Sequence, residues 1–229
     1  MVEILDCTLR DGGYVNNWNF SNSQINKIIN SLGKSNIDII ELGYLNDREG
    51  VNLNSTLFDS LKSVDIAIGE LDLTSQLVIM IDLFTVDVDK LPHKSKTRVD
   101  GIRLAFHQKD TNEAVLASKK IISLGYQLFF QPMVTKNYNG NEFTALIKKA
   151  NVLNVYAFYV VDSFGSMTLS EFQKYINLAD NNLDKGIKLG YHSHNNMQLA
   201  FSNAIDLCTS SIDREVILDS SIYGMGRGA

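Results

Sequence analysis

Eight short, nearly continuous apolar and β-branched runs, separated by stretches of helical period, constrain the fold of this chain more than any other feature. The runs are Val2 to Cys7, Ile37 to Gly43, Leu77 to Leu83, Gly101 to Phe106, Tyr126 to Gln131, Val155 to Asp162, Ile187 to His192 and Glu215 to Asp219. Hydrophobicity barely alternates in Ile37-Asp38-Ile39-Ile40 or Leu77-Val78-Ile79-Met80-Ile81. Parallel strands covered on both faces require such continuity, whereas half-solvated strands alternate. Between the runs, Ile25, Ile28, Ile29 and Leu32 form one helical face, with Ser or Asn before it as a cap and Gly33 as a terminator. Asp110 to Gly125, Glu142 to Val152, Thr168 to Asn182 and Asn196 to Cys208 carry similar punctuation. In the segment Leu45 to Thr74, Leu57, Phe58, Leu61 and Val64 suggest one helix.

Repeated strand-helix alternation implies right-handed crossovers in a parallel sheet, either closed as a TIM (β/α)8 barrel or open and doubly wound. Eight strands favour the barrel. An open dinucleotide-type sheet should carry a glycine-rich phosphate loop after its first strand, and Asp11-Gly12-Gly13-Tyr14 lacks that spacing. No linker, repeat or low-complexity tract divides the 229 residues, so residues 1–229 are read as one catalytic domain.

A net charge of -5 without a run of Lys or Arg gives no footprint for nucleic acid or an anionic membrane surface. No apolar run approaches the roughly 20 residues of a membrane helix. The N-terminus has no signal-peptide pattern, and Cys7 and Cys208 are the only cysteines, so a cytoplasmic protein is expected.

The strongest local signal is Tyr191-His192-Ser193-His194 at the end of the seventh run. On an extended backbone His192 and His194 point to one side, so both imidazoles can reach one metal ion. Two ordinary polar residues at a strand end give the same pattern, so a third ligand is needed. Asp11, at the end of the first run, offers a hard anionic oxygen, and one carboxylate with two imidazoles suits Mn²⁺, Mg²⁺, Zn²⁺ or Fe²⁺. Beside it, Arg10 could stabilise an anionic oxygen or join a surface ion pair, and Glu41 could orient Arg10 or stay solvated.

Together, Leu9-Arg10-Asp11-Gly12, Glu41-Leu42-Gly43 and His192-Ser193-His194-Asn195 resemble the DRE-TIM metallolyases, the family of 3-hydroxy-3-methylglutaryl-coenzyme A lyase. Val160 to Gly165, Asp219-Ser220-Ser221 and Gly224-Met225-Gly226 are similar to the 4-hydroxy-2-oxovalerate aldolase branch. The resemblance implies an aldolase or lyase that makes or breaks a carbon-carbon bond next to a 2-oxo acid such as pyruvate. It implies Asp11, His192 and His194 as ligands of Mn²⁺ or Mg²⁺, with Zn²⁺ a further option, and a metal-bound enolate stabilised by Arg10. Glu41 would assist Arg10, Ser163 and His107 would contact substrate, and Asp162 would orient a ligand. A homodimer and an aldehyde dehydrogenase partner are further implications.

Two departures stand out. The aldolase branch places a histidine base three residues after the metal-binding Asp, where this chain has Tyr14, a poor base at its ordinary pKa of about 10. The glycine-rich loop ends at Gly226-Arg227-Gly228-Ala229, before the family's Asn ligand and the last helix, so the sequence reads as the N-terminal part of a longer chain. The rival readings are an acyl-coenzyme A condensing synthase of the isopropylmalate synthase type, a catalytically weakened barrel serving as a binding module, and, more remotely, an open-sheet nucleotide binder.

Overall fold

A computed structural model describes residues 1–47, 54–70 and 73–227. All eight runs form parallel strands: β1 (Val2–Asp6), β2 (Ile39–Leu45), β3 (Gln76–Asp82), β4 (Gly101–Phe106), β5 (Gln127–Pro132), β6 (Ala157–Asp162), β7 (Lys188–Ser193) and β8 (Val216–Ser220). They pair in chain order, and β1 pairs with both β2 and β8, which closes the sheet into a TIM barrel.

Around it lie α1 (Asn22–Lys34), α2 (Leu61–Ile68), α3 (Thr111–Ser123), α4 (Gly140–Leu153), α5 (Leu169–Asn182) and α6 (Ala200–Thr209). Reciprocal side-chain caps start three of them, Ser21 with Gln24, Asn139 with Glu142 and Thr168 with Glu171. The β3–β4 connection holds only two 3₁₀ turns, Val88–Lys90 and Lys94–Lys96. Among the described residues β8 is followed by one turn, Ile222–Gly224, and Gly228 and Ala229 lie outside them. A groove of about 480 Å³, lined by Ile4, Phe201, Ile205 and Leu218 among others, runs beside α6 and β8. No helix among the described residues is long and apolar enough to cross a membrane.

Three local expectations need correction. Leu57 and Phe58 form a short parallel strand on the end of β2, with Tyr44 opposite Leu57, and the helix starts only at Leu61, where Ser60 accepts from the Ser63 N–H. Gly33 lies inside α1 rather than ending it, and the chain turns at Asn36 with φ 55°. Asn196 precedes α6 by a loop in which the Asn195 side chain accepts from the Ala200 N–H.

Strand alternation divides the core in two. Outward residues such as Ile79, Leu104, Phe130 and Phe158 pack under the helices in a continuous apolar layer. Inward residues Leu5, Ile39, Val78, Phe129, Tyr159 and Ile217 fill the barrel. Gly190 makes room there, since a Cβ on it would overlap the Tyr159 ring. Toward the C-terminal mouth the inward positions become charged: Glu41, Arg103 and Asp219 are all buried.

Candidate active site

β1 ends in a tight turn in which the Arg10 and Asp11 amides both donate to the Cys7 carbonyl, at 3.0 and 2.7 Å. That turn brings the Asp11 carboxylate over the mouth of the barrel. β7 delivers His192, and His194 follows two residues on, with ring centroids 5.1 Å apart. Gly165, at φ 60°, lets the loop after β6 pack against this segment, where a Cβ would lie 2.6 Å from the His194 carbonyl oxygen. One ligand-type atom from each of Asp11, His192 and His194 lies within 4.8 Å of the other two, and all three residues are buried.

This donor set fits a divalent cation. Burial works against ionising Asp11, but Arg10 and the two histidines hold its pKa below the usual 3.8. Burial, followed by the neighbouring His192, pushes His194 down to about 3, which keeps its imidazole neutral and able to donate a lone pair. Nδ1 of His192 lies 2.7 Å from Oδ2 of Asp219. Asp219 is buried, yet Arg103 and His192 overcome the desolvation and keep its pKa at about 2. An ionised Asp219 makes Nδ1 the protonated nitrogen of His192 and leaves Nε2 free as a ligand.

A chain of buried charges joins the two sides of this cluster. Nη1 of Arg10 meets Asp11 and Nε meets Glu41, both at 2.8 Å. The other Glu41 oxygen pairs with Arg103 at 2.8 Å, and Arg103 in turn pairs with Asp219. With its amide oxygen turned toward Arg103, Gln131 accepts from the same guanidinium. Two guanidinium groups against three carboxylates leave the set with a single net negative charge, and a dication would make it positive. Nη2 of Arg10 is buried without a hydrogen-bond partner among the described residues. An unpaired buried donor is costly, so it is poised for an incoming acceptor.

A cavity of about 110 Å³ opens over the cluster, lined by Arg10, Asp11, Tyr14, Ser163, His192 and His194, among others. Tyr14 is 42% exposed, and its hydroxyl lies 3.4 Å from that of Tyr44. Glu41 stands behind Arg10 and outside the cavity lining. Oγ of Ser163 accepts from the Val134 N–H at 2.8 Å. His107 is exposed and does not line the cavity. The Asp162 carboxylate accepts from the Ser166 and Met167 amides and holds the loop after β6, while its backbone carbonyl accepts from the His194 N–H at 3.3 Å.

Four residues without an assigned role in the sequence reading belong to this region. Arg103 and Asp219 complete the charge chain, Asp82 lines the cavity, and Arg227 reaches in from the loop after β8. Arg227 bonds to the Ser163 carbonyl at 3.0 Å and to Nε2 of His194 at 3.1 Å, and its guanidinium lies 5.7 Å from the Tyr14 ring centroid. Arg103 had one legible signal, a charge in the middle of an otherwise apolar strand.

Fold and site define a TIM barrel whose C-terminal mouth carries an Asp-His-His cluster and a buried arginine. The HMGL-like family model matches residues 1–229, and the chain belongs to that family. Among curated proteins, it is 23% identical over 234 residues to an oxaloacetate decarboxylase of Mycobacterium tuberculosis, covering 99% of this chain. It is 23% identical over 233 residues to a 4-hydroxy-2-oxovalerate aldolase of Bacillus cereus, covering 100% of this chain. The chain spans 66% of the length of each relative, just under two thirds. Among solved structures, one titled the "N-terminal domain of a putative aldolase" from Bacteroides vulgatus superposes with a TM-score of 0.80 at 29% identity, over 99% of this chain and 75% of that one. An HMG-CoA lyase from Brucella melitensis shares the fold, with a TM-score of 0.73 at 15% identity over 98% of this chain and 82% of that one.

Proposed function

We propose that this chain cleaves or forms the bond between C3 and C4 of a 2-oxo acid, a 4-hydroxy-2-oxo acid above all, with Asp11, His192 and His194 holding a divalent metal ion. Mn²⁺ or Mg²⁺ suits the mixed carboxylate and imidazole set. The observation that carries the reading is Nη2 of Arg10, unpaired among the described residues and buried beside a cluster that fits a dication. The oxaloacetate decarboxylase and hydroxy-oxovalerate aldolase names share one chemistry, loss of a group from C3 of a 2-oxo acid to leave an enolate. When bound, the ion would act as a Lewis acid toward the keto oxygen.

The protein's own residues do the rest. Arg10 donates from Nη2 to the oxygen on which negative charge grows, so it stabilises the transition state more than the substrate. Glu41 and Asp11 fix the other guanidinium nitrogens and hold that donor in place. Asp219 holds the tautomer of His192, and Arg103 holds Asp219. Tyr14 and Ser163 line the site and limit the size of the bound acid.

The test is a panel of 4-hydroxy-2-oxo acids with Mn²⁺, followed by pyruvate release. Arg10→Ala should lower kcat by about 10²- to 10³-fold. Absence of both Mn²⁺ binding and pyruvate release would leave the barrel as a binding module.

A further inference from the structure

Cleavage of a 4-hydroxy-2-oxo acid leaves one proton without a carrier, and the choice of a carrier rests on that proposed function. A carbon-carbon bond next to an alcohol breaks heterolytically only as the hydroxyl proton is removed, and the enolate becomes product only when C3 is protonated. Tyr14, in the position of the family's base, is a weak candidate. Its hydroxyl is tied to Tyr44, whose own phenol is pushed well above the usual range by burial. Asp11 is ion-paired with Arg10, and Glu41 and Asp219 are spent on the charge chain.

Among the described carboxylates only Asp11 and Asp82 line the cavity. Asp82 is the last residue of β3 and sits opposite Ala105 of β4, which also lines the cavity. In strand alternation it shares the inward face with Val78 of the barrel core and with Met80, another lining residue. It makes no ion pair among the described residues. Burial raises its pKa above the usual 3.8, while nearby His107 and the Leu83 amide pull it back and Asp110 adds to the rise. A carboxyl moved toward neutrality, facing the cavity and free of a salt bridge, suits proton exchange.

We propose that Asp82 is the acid-base residue of this site. Its carboxylate takes the proton from the C4 hydroxyl, and the O–H electron pair becomes the second bond of the aldehyde carbonyl. The C3–C4 pair moves to form the C2–C3 double bond, and the keto oxygen takes the negative charge beside Nη2 of Arg10. The aldehyde leaves, and the Asp82 carboxyl returns the same proton to C3 to give the 2-oxo acid with no external acid or base. In the synthetic direction Asp82 removes a proton from the C3 methyl of pyruvate.

Pyruvate in D₂O with Mg²⁺ isolates this step, because deuterium enters the methyl group without any aldehyde present. The protein should exchange the methyl protons, as read by NMR. Asp82→Asn should lower that exchange, and kcat for cleavage, by about 10²- to 10⁴-fold with little change in KM. Its Mn²⁺ affinity by calorimetry and its melting temperature should match those of the unaltered protein, and Asp82→Glu should recover part of the exchange. Exchange within a few-fold of normal in Asp82→Asn overturns the assignment and leaves the 2-oxo acid reading standing. Loss of exchange together with loss of Mn²⁺ affinity makes Asp82 a structural residue and also overturns it. No exchange by the unaltered protein with Mg²⁺ or Mn²⁺ overturns both.

Discussion

The outer and inner layers of the barrel are built from the same eight strands, yet they solve opposite problems. Outside, Ile79, Leu104, Phe130 and Phe158 meet the helices in a predominantly apolar layer. Inside, an apolar floor of Leu5, Val78, Phe129 and Ile217 gives way near the mouth to Glu41, Arg103 and Asp219. Apolar burial stabilises at roughly 25 cal/mol per Å², whereas burying charges costs free energy even when they are paired. The outer layer therefore holds the fold, and the charged inner layer is retained for what it positions: Arg10 on one side and His192 on the other.

The largest expected effect breaks that division directly. Arg103→Met alone should destabilise by about 3–5 kcal/mol in urea unfolding, because Glu41 and Asp219 lose their shared partner. The triple change Arg103→Met, Glu41→Leu, Asp219→Leu should recover part of that loss, since it removes both stranded carboxylates although Arg10 and His192 lose their partners, while Mn²⁺ binding is lost. A triple variant as unstable as the single one would show that the charged layer is needed for folding, and the division would fail.

In the outer layer, Ile79→Ala should cost about 2–5 kcal/mol with unchanged Mn²⁺ affinity. A parallel drop in affinity would couple the two layers. Asp219→Asn should weaken Mn²⁺ binding by about 10- to 100-fold in calorimetry through loss of the His192 orientation. An unchanged affinity would free His192 from that support.

A separate effect, spread over several pH units, is on acid stability without metal. His194 titrates at about 3 in the folded chain against 6.5 as its ordinary value, so unfolding below that value takes up a proton. The folded state should lose up to about 1.4 kcal/mol per pH unit as pH falls from 6.5 toward 3. Asp6, lifted to about 6 by burial, acts in the opposite sense between about 6 and 3.8. The difference between the protein and His194→Gln removes that shared contribution, and a difference independent of pH would show that His194 is freely protonated in the folded chain.

Much of the molecule was legible residue by residue. Continuous apolar runs marked all eight strands, because a strand covered on both faces has no polar side to interrupt it. Leu57 and Phe58 misled because two residues carry no period, and they pair with Tyr44 and Leu45 at the far end of β2. Asp11, His192 and His194 were legible through strand-end placement and spacing, and they converge here. Asp162 meets His194 through its backbone carbonyl rather than its carboxylate, because a strand-end carboxylate can turn equally toward a site or toward its own loop amides.

The order of apolar and helical segments determined the barrel, since each strand's cover and each helix's face are properties of neighbouring residues. It also placed Arg10 and the Asp-His-His set at one end of that barrel. Only the tertiary structure decided which charges meet: Arg103 lies 116 residues from Asp219, and no periodicity reports a contact across a closed sheet. Closure likewise decided that Asp82 shares a cavity with Arg10 and that Glu41 stands behind it. Local sequence fixes which way a side chain points along its strand, and the register of eight strands around a ring fixes what it finds there.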